Sequence, residues 1–175
     1  VVSGGYHPGV SSLYLRDRLF LNDGKGIFTL GLPNTPDLRD SGGSVSACDF
    51  DRDGDLDLFV GGRVTRGQYP EVPGSSLLQN EGGKFVDRTE GLAPGLKNTG
   101  MVTSSLWSDY DSDGWIDLVV TTEWGPVEFW KNEKGKLVDR TREAGTAKRL
   151  GWWTSVTHGD FDNDGDQDAM VGCFF

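Results

Sequence analysis

The chain of 175 residues is poor in several residue types, and each shortage excludes a class of protein. It has only two cysteines and two histidines, and their spacing fits no zinc pattern. No run of 18 apolar residues occurs, so the sequence predicts no membrane span. The opening residues VVSGGYHPGV have no charged segment followed by an apolar one, so we expect no signal peptide there.

Recognisable catalytic motifs are also missing. The sequence contains no G-x-S-x-G elbow, H-E-x-x-H pair, phosphate-binding P-loop or dinucleotide fingerprint. His7 and His158 are far apart, and His158 is expected to be a strand residue and not a catalytic base. No N-x-S/T acceptor for N-glycosylation is present. We therefore predict that this chain is not an enzyme.

Basic residues are outnumbered, with 17 Lys and Arg against 27 Asp and Glu and a net charge of −10. Fourteen of the acidic residues lie in three short segments, DFDRDGDLD, DYDSDGWID and DFDNDGDQD. Without these fourteen aspartates the balance is 13 acidic to 17 basic residues. The acidity is thus concentrated where cations would bind, and the lack of a basic stripe argues against nucleic-acid binding.

The acidic segments mark an internal repeat. They begin at Asp49, Asp109 and Asp160, at steps of 60 and 51 residues. A second recurring segment (FLNDGKGIF, LLQNEGGKF, FWKNEKGKL) places an asparagine at positions 22, 80 and 132, which is 27, 29 and 28 residues before the next acidic segment. Two independent markers keep one phase, which indicates units of approximately 1–43, 44–99, 100–150 and 151–175, the first and last incomplete.

Alternating apolar residues and turn residues indicate an all-β chain with about four strands per unit. Strands are predicted at Ser44–Cys48, Asp57–Gly61, Ser76–Asn80, Lys84–Asp87, Thr103–Ser108, Asp117–Thr122, Val127–Asn132, Lys136–Asp139, Trp153–Gly159 and Asp168–Cys173. The opening VVSGG resembles the strand that follows each acidic segment. Four antiparallel strands in about 50 residues are typical of a β-propeller blade. Three such units cannot close a ring, so we expect them to form part of a larger propeller.

Each acidic segment fits D-x-D-x-D-G-x-x-D, a pattern suited to calcium. Calcium takes 6–8 oxygen ligands at about 2.3–2.6 Å, and alternate aspartates in a loop that turns at glycine point inward together. The seventh loop position would offer its backbone carbonyl, so its side chain can vary. The candidate ligands are Asp49, Asp51, Asp53, Asp55 and Asp57; Asp109, Asp111, Asp113, Trp115 and Asp117; and Asp160, Asp162, Asp164, Asp166 and Asp168.

Two other interpretations of these loops fit less well. An EF-hand loop ends with glutamate at position twelve, but here that position is Val60, Val120 or Val171 and lies in a predicted strand. Solvent-exposed acidic turns are a second alternative, but four carboxylates in one short loop repel one another without a cation. About three Ca²⁺ ions, one per loop, would change the formal charge from −10 to −4.

The repeats resemble the FG-GAP/VCBS family, the calcium-loop β-propeller repeats that also occur in integrin α-chain heads and bacterial secreted proteins. The resemblance covers essentially the whole chain. It implies that each loop joins the first two strands of a blade, that the residues above are its ligands, and that the protein is exported. The literal Phe-Gly and Gly-Ala-Pro signatures are absent, and Val60-Gly61-Gly62 occupies the nearest place. This difference favours a bacterial VCBS-like branch over integrin-type ligand recognition.

The tryptophans and cysteines leave more than one interpretation open. Trp107, Trp152 and Trp153 precede acidic loops and are expected to pack between blades, whereas Trp115 and Trp124 are candidates for ligand contact. Cys48 and Cys173 either pair or remain small apolar side chains, and the repeat places them in non-adjacent units.

These observations together predict a secreted or cell-surface calcium-binding repeat protein with a structural or adhesive role. Three alternatives remain: a lectin-like propeller that binds glycans, a subunit of an extracellular fibre or surface layer, and an accessory domain of a larger hydrolase or lyase. The expected partners are a protein or glycan at the cell surface, or further copies that pair through open blade edges.

Overall fold

A computed structural model of the chain describes residues 17–31, 35–38, 41–65 and 67–174. Its elements are β1 (Phe20–Asn22), β2 (Phe28–Leu30), β3 (Ser41–Cys48), β4 (Asp57–Val64), β5 (Ser76–Asn80), β6 (Phe85–Asp87), α1 (Thr89–Leu92), a 3₁₀ helix (Pro94–Asn98), β7 (Met101–Ser108), β8 (Asp117–Gly125), β9 (Val127–Asn132), β10 (Leu137–Asp139), β11 (Gly151–Gly159) and β12 (Asp168–Cys173). The predicted all-β class is confirmed.

The strands form antiparallel sheets in which chain neighbours pair. The first sheet has the order β3-β4-β5-β6, and β7, β8, β9 and β10 pair successively in the same way. Strand β11 pairs with β12 along its length and with β8 at Gly151 and Trp152, so β7 to β12 belong to one six-stranded sheet. The hairpin β1-β2 is separate. Four-stranded antiparallel sheets of this order are the arrangement expected of propeller-type blades.

The ten strands predicted between residues 44 and 173 are all present, and their ends lie within three residues of the predicted ones. This agreement follows from strong local signals, because apolar alternation and turn residues fix strands through short-range chemistry. The VVSGG segment and His7 lie outside the described residues. His158 lies in β11, as expected for a strand residue.

The first sheet and strands β7 to β10 of the second share one apolar core. It joins the first sheet and its short helices to the strands of the second through fully or almost fully buried side chains, namely Phe50, Phe59, Leu77, Ala93, Leu96, Val102, Leu118, Val120, Trp130 and Leu137. Gly61 of β4 lets the sheets approach closely, because a Cβ there would lie 2.5 Å from Val102 Cγ1 of β7.

Two further sequence questions are answered at this level. Within the described ranges, no helix is both long and apolar enough to cross a membrane. No disulfide joins Cys48 and Cys173. Burial, followed by the charge of Asp49, raises the pKa of the half-buried Cys48 thiol to about 11.

Candidate metal centres

The three acidic loops have one backbone conformation. Each joins the first two long strands of its unit: β3 to β4, β7 to β8, and β11 to β12. The fourth loop residue has a left-handed φ in every copy, 65° at Arg52, 59° at Ser112 and 63° at Asn163. The sixth is glycine, with φ of 96°, 86° and 97° in the three loops, a conformation that other L residues rarely adopt. The sequence therefore curls each loop locally, independently of the rest of the fold.

Backbone N–H groups inside the first loop bind one oxygen of each leading aspartate. The amide of Gly54 donates to Asp49 Oδ2 (3.1 Å), that of Asp53 to Asp51 Oδ1 (3.2 Å) and that of Asp55 to Asp53 Oδ1 (2.9 Å). The second loop has the same three bonds, at 2.9, 3.3 and 2.8 Å. Each carboxylate is thereby oriented by one oxygen, and its other oxygen is left for another partner.

Carboxylate oxygens converge in each of the three loops. Ligand atoms of Asp49, Asp51 and Asp53 lie within 4.8 Å of one another, as do those of Asp109, Asp111 and Asp117, and those of Asp160, Asp162 and Asp168. Within the described part of the chain, Asp49 Oδ1 and Asp109 Oδ1 are buried without a hydrogen-bond partner. A buried carboxylate oxygen with no donor is costly unless a cation binds it. The donor set, carboxylate oxygen without histidine or thiolate, fits a hard cation such as calcium.

The closing aspartates tie each loop to the sheet. Asp57 is fully buried and accepts hydrogen bonds from the backbone N–H groups of Phe50 (3.3 Å) and Asn80 (2.8 Å). Asp117, also fully buried, does the same with Tyr110 (3.3 Å) and Asn132 (2.7 Å). Burial is the main reason that the pKa of each closing carboxyl rises to about 6, and nearby aspartates add to it.

The third loop is more open than the first two. Its candidate ligands Asp160, Asp162, Asp164 and Asp166 are exposed, and Asp168 is half-buried. Both oxygens of Asp160 accept loop N–H groups, from Asp164 (3.2 Å) and Gly165 (3.0 Å). The negative charge of Asp164 raises the pKa of Asp166.

The seventh-position residues make different contacts in the three loops. The Asp55 carboxylate accepts a bond from the backbone N–H of Gly82 in the next hairpin (3.1 Å). The Trp115 ring lies under the guanidinium of Arg52, whose carbon is 4.1 Å from the ring centroid. Arg52 also donates to the Gly114 carbonyl, so the first loop contacts the second directly.

Three residues at these sites were missed by sequence reasoning. Gln79 donates to Asp51 Oδ2, and Lys131 pairs with Asp111 and Asp113. Asn132 is fully buried and donates from Nδ2 to the carbonyl oxygens of Phe50 (2.7 Å) and Ile116 (2.9 Å). A signal was present, because Gln79 and Lys131 each directly precede a recurring asparagine.

The tryptophans are distributed largely as the sequence suggested. Trp107 packs on the core and stacks on Phe50 at 6.2 Å, and Trp153 donates from Nε1 to the Gly125 carbonyl of β8 (3.0 Å). Trp152 lies between Trp124 (4.8 Å) and Phe174 (5.2 Å). Trp124 is 54% exposed, whereas Trp115 is half-buried.

Trp124 is the exposed tryptophan on a cleft away from the acidic loops. Its Nε1 donates to the Tyr69 hydroxyl (3.2 Å), which in turn donates to Glu123 Oε1 (2.8 Å). Glu123 is buried and also pairs with Arg63. The ring of Trp124 is therefore held in place by a polar network while one part of it faces solvent.

Comparison with known proteins adds one finding. A family model described as an FG-GAP-like repeat matches residues 2–60 and 109–171, which is more than half of the chain. A search of curated proteins found no match.

Proposed function

The chain belongs to the FG-GAP-like repeat family, and from that premise we propose that its acidic loops are structural calcium sites. One observation carries the proposal: carboxylate oxygens converge in every loop, and the Oδ1 atoms of Asp49 and Asp109 are buried without a donor. A cation satisfies these oxygens and cancels the repulsion among the aspartates.

Bound calcium would stabilise the loop that connects the first two long strands of each unit. The first, third and fifth aspartates of a loop hold the ion together with the closing Asp57, Asp117 or Asp168, which also fixes the loop to the following strand. The seventh residue, Asp55, Trp115 or Asp166, contributes its backbone carbonyl. Because an unfolded chain has no such site, the free energy of binding adds to the free energy of unfolding.

The biological role that follows is a calcium-stabilised repeat unit of a secreted or surface protein. We propose that this role is structural or adhesive and that the chain does not catalyse a reaction. The sheets then present a rigid surface to a protein, a glycan or another copy of the chain. The units 1–43, 44–99, 100–150 and 151–175 are the repeats of this proposal, within a larger propeller.

Thermal melting in EGTA, followed by titration of calcium, tests the proposal. Each loop adds about 2.7 kcal/mol when free calcium is 100 times its Kd, which corresponds to a Tm increase of roughly 5–10 °C per loop. Magnesium should reproduce the increase poorly, because it demands a tighter octahedral site. A Tm that does not respond to calcium would overturn the proposal.

A matched pair of variants localises the effect. Asp49→Asn removes one charge from the first loop, whereas Asp23→Asn changes an exposed turn outside the three loops. We expect the calcium-dependent increase in Tm to shrink in Asp49→Asn and to be unchanged in Asp23→Asn. Equal increases in both variants would count against Asp49 as a ligand.

A second candidate function, glycan binding, is favoured by Trp124. Its exposed ring is fixed by Tyr69 beside a cleft of about 550 Å³ lined also by Asn98 and Glu128, which combines an aromatic face with polar groups. Trp115 is less suited, because Arg52 lies on its ring. Retention on immobilised glycans should fall in Trp124→Ala and persist in Trp115→Ala; equal retention by wild type and both variants would exclude Trp124 as the contact.

A further inference from the structure

The first two acidic loops are each contacted by a side chain from a later strand of the same unit, and that side chain differs in charge between them. Gln79 and Lys131 occupy equivalent places, each one residue before the asparagine whose backbone N–H binds the closing aspartate. The Gln79 amide donates to Asp51 Oδ2. The Lys131 ammonium is bound by Asp111 Oδ2 and lies 2.7 Å from Asp113 Oδ2.

The oxygens that Lys131 contacts are those which the loop leaves available. The Oδ1 atoms of Asp111 and Asp113 accept backbone N–H groups of the loop, at 3.3 and 2.8 Å. Their Oδ2 atoms are therefore the ones that a metal ion would need. In the first loop the neutral Gln79 amide contacts Asp51 alone among the three leading aspartates.

The ion pairs of Lys131 with Asp111 and Asp113 are partly buried. The side chains of Lys131, Asp111 and Asp113 are 25, 30 and 33% exposed, so the pairs are partly shielded from water. Arg52 of the first loop also donates to the Gly114 carbonyl of this loop. Two protein cations thus face the second loop.

We propose that Lys131 is a built-in competitor for the cation of the second loop, so that this loop binds calcium more weakly than the first. The inference rests on the proposed function, since it concerns the strength of one of the same sites. A divalent ion must displace the ammonium from both Oδ2 atoms and then remain near its positive charge. At low calcium the ammonium supplies part of the charge compensation that the ion gives elsewhere.

Terbium luminescence sensitised by Trp115 reads the second loop. Trp115 lies inside this loop, whereas Asp55 and Asp166 hold the same position in the others, so the part of the emission that Trp115→Phe removes reports chiefly terbium bound at the second loop. The full chain is titrated with terbium as wild type and as Lys131→Gln, which copies the first loop. Trp115→Phe in the Lys131→Gln background must remove most of the emission.

We expect Lys131→Gln to lower the terbium Kd at the second loop about tenfold or more, since the competing charge is gone. It should also lower Tm in EGTA, because the aspartates lose their internal counter-charge, and increase the gain in Tm on calcium addition. The reciprocal Gln79→Lys should weaken calorimetric calcium binding at the first loop about tenfold and leave the Trp115-sensitised midpoint unchanged.

The outcomes separate the inference from its premise. Equal terbium midpoints for wild type and Lys131→Gln, with calcium binding to both, would overturn the role of Lys131 and leave the calcium loops standing. A calorimetric titration in which neither protein binds calcium would overturn both. A tenfold shift in Lys131→Gln with the opposite shift at the first loop in Gln79→Lys would establish the competition.

Discussion

Asn80 and Asn132 hold the same place in the repeat but make different contacts. Both side chains accept a bond from a turn glycine through Oδ1, from Gly83 (2.7 Å) and Gly135 (2.8 Å). Asn132 is fully buried and bonds across the sheets to the Phe50 carbonyl, whereas Asn80 bonds within its own unit to Leu56 (3.2 Å). Equivalent residues of the repeat are therefore expected to contribute differently to the free energy of unfolding, because different groups pack around them.

Asn132→Ala should destabilise the protein more than Asn80→Ala does. The first change removes the Asn132 donor from one buried carbonyl, of Phe50, and one partly buried carbonyl, of Ile116, and should lower the free energy of unfolding by about 2–4 kcal/mol, since each unsatisfied group costs about 1–3 kcal/mol. The second should cost about 1 kcal/mol, because water reaches the half-buried Asn80. Urea unfolding in saturating calcium measures both, and equal losses would contradict the special position of Asn132.

Glu128 of β9 gives the protein a pH dependence that does not involve the acidic loops. Its Oε2 accepts a hydrogen bond from Trp130 Nε1 (2.9 Å), and burial raises the pKa of its carboxyl to about 7. In the unfolded chain this pKa returns to about 4.3. Between these values the folded state holds the extra proton, so raising the pH lowers the free energy of unfolding.

Glu128→Gln should flatten this dependence, because the amide stays neutral and still accepts the Trp130 N–H. At pH 8 the variant should be more stable than wild type by about 1–3 kcal/mol, and near pH 4 the difference should vanish. The measurement is Tm against pH at saturating calcium, with the exposed Glu133→Gln as control. A gap that stays constant from pH 4 to 8 would refute the assigned shift.

At the scale of elements, strands β4 and β7 pack more closely than ordinary side chains allow. A Cβ on Gly61 would lie 2.5 Å from Cγ1 and 2.7 Å from Cβ of Val102, which is fully buried. A Cβ on Gly43 of β3 would lie 2.6 Å from the Val102 carbonyl. Glycine in these strands is thus required by the neighbouring sheet.

Gly61→Ala should lower the free energy of unfolding by about 1–3 kcal/mol, the usual cost of overpacking a core. Gly91→Ala is the control, because nothing lies within 4 Å of a Cβ there and alanine favours the helix α1. Denaturant unfolding should show a loss for Gly61→Ala and no loss for Gly91→Ala. A harmless Gly61→Ala would mean that the sheets are separated more widely.

At the scale of the whole molecule, burial is concentrated in the first sheet and in strands β7 to β10 of the second. The core side chains lie between Phe50 and Leu137, and they come from both sheets. No residue of strand β12 is buried, and Met170 is 65% exposed, as is Phe174 just beyond the strand at 64%. One cooperative unit is therefore expected to span the two sheets, with β11-β12 less protected.

Amide hydrogen exchange tests this distribution. In saturating calcium the amides of β8 should be protected at least about tenfold more than those of β12, because β8 is buried between β7 and β9. Exchange in EGTA should speed up most in the strands beside the acidic loops. Equal protection of β8 and β12 would show that the third loop is as firmly folded as the others.

The sequence by itself determined the strands and the conformation of the acidic loops. Both depend on chemistry over a few residues: alternation along a strand, and aspartates that accept N–H groups up to five residues away around a glycine of positive φ. The same local pattern named five candidate ligands per loop, and ligand atoms of three of them gather in each loop of the structure. For this reason the candidate ligands could be named before any packing was known.

Only the tertiary structure decided how the loops differ and how they are connected. The contacts of Lys131 with Asp111, Arg52 with Gly114 and Asn132 with Phe50 join residues 20, 62 and 82 positions apart. Such contacts depend on the distance and register between strands and sheets, which alternation alone does not specify. The repeat makes the three loops alike locally, and the packing of unequal neighbours makes their electrostatic surroundings different.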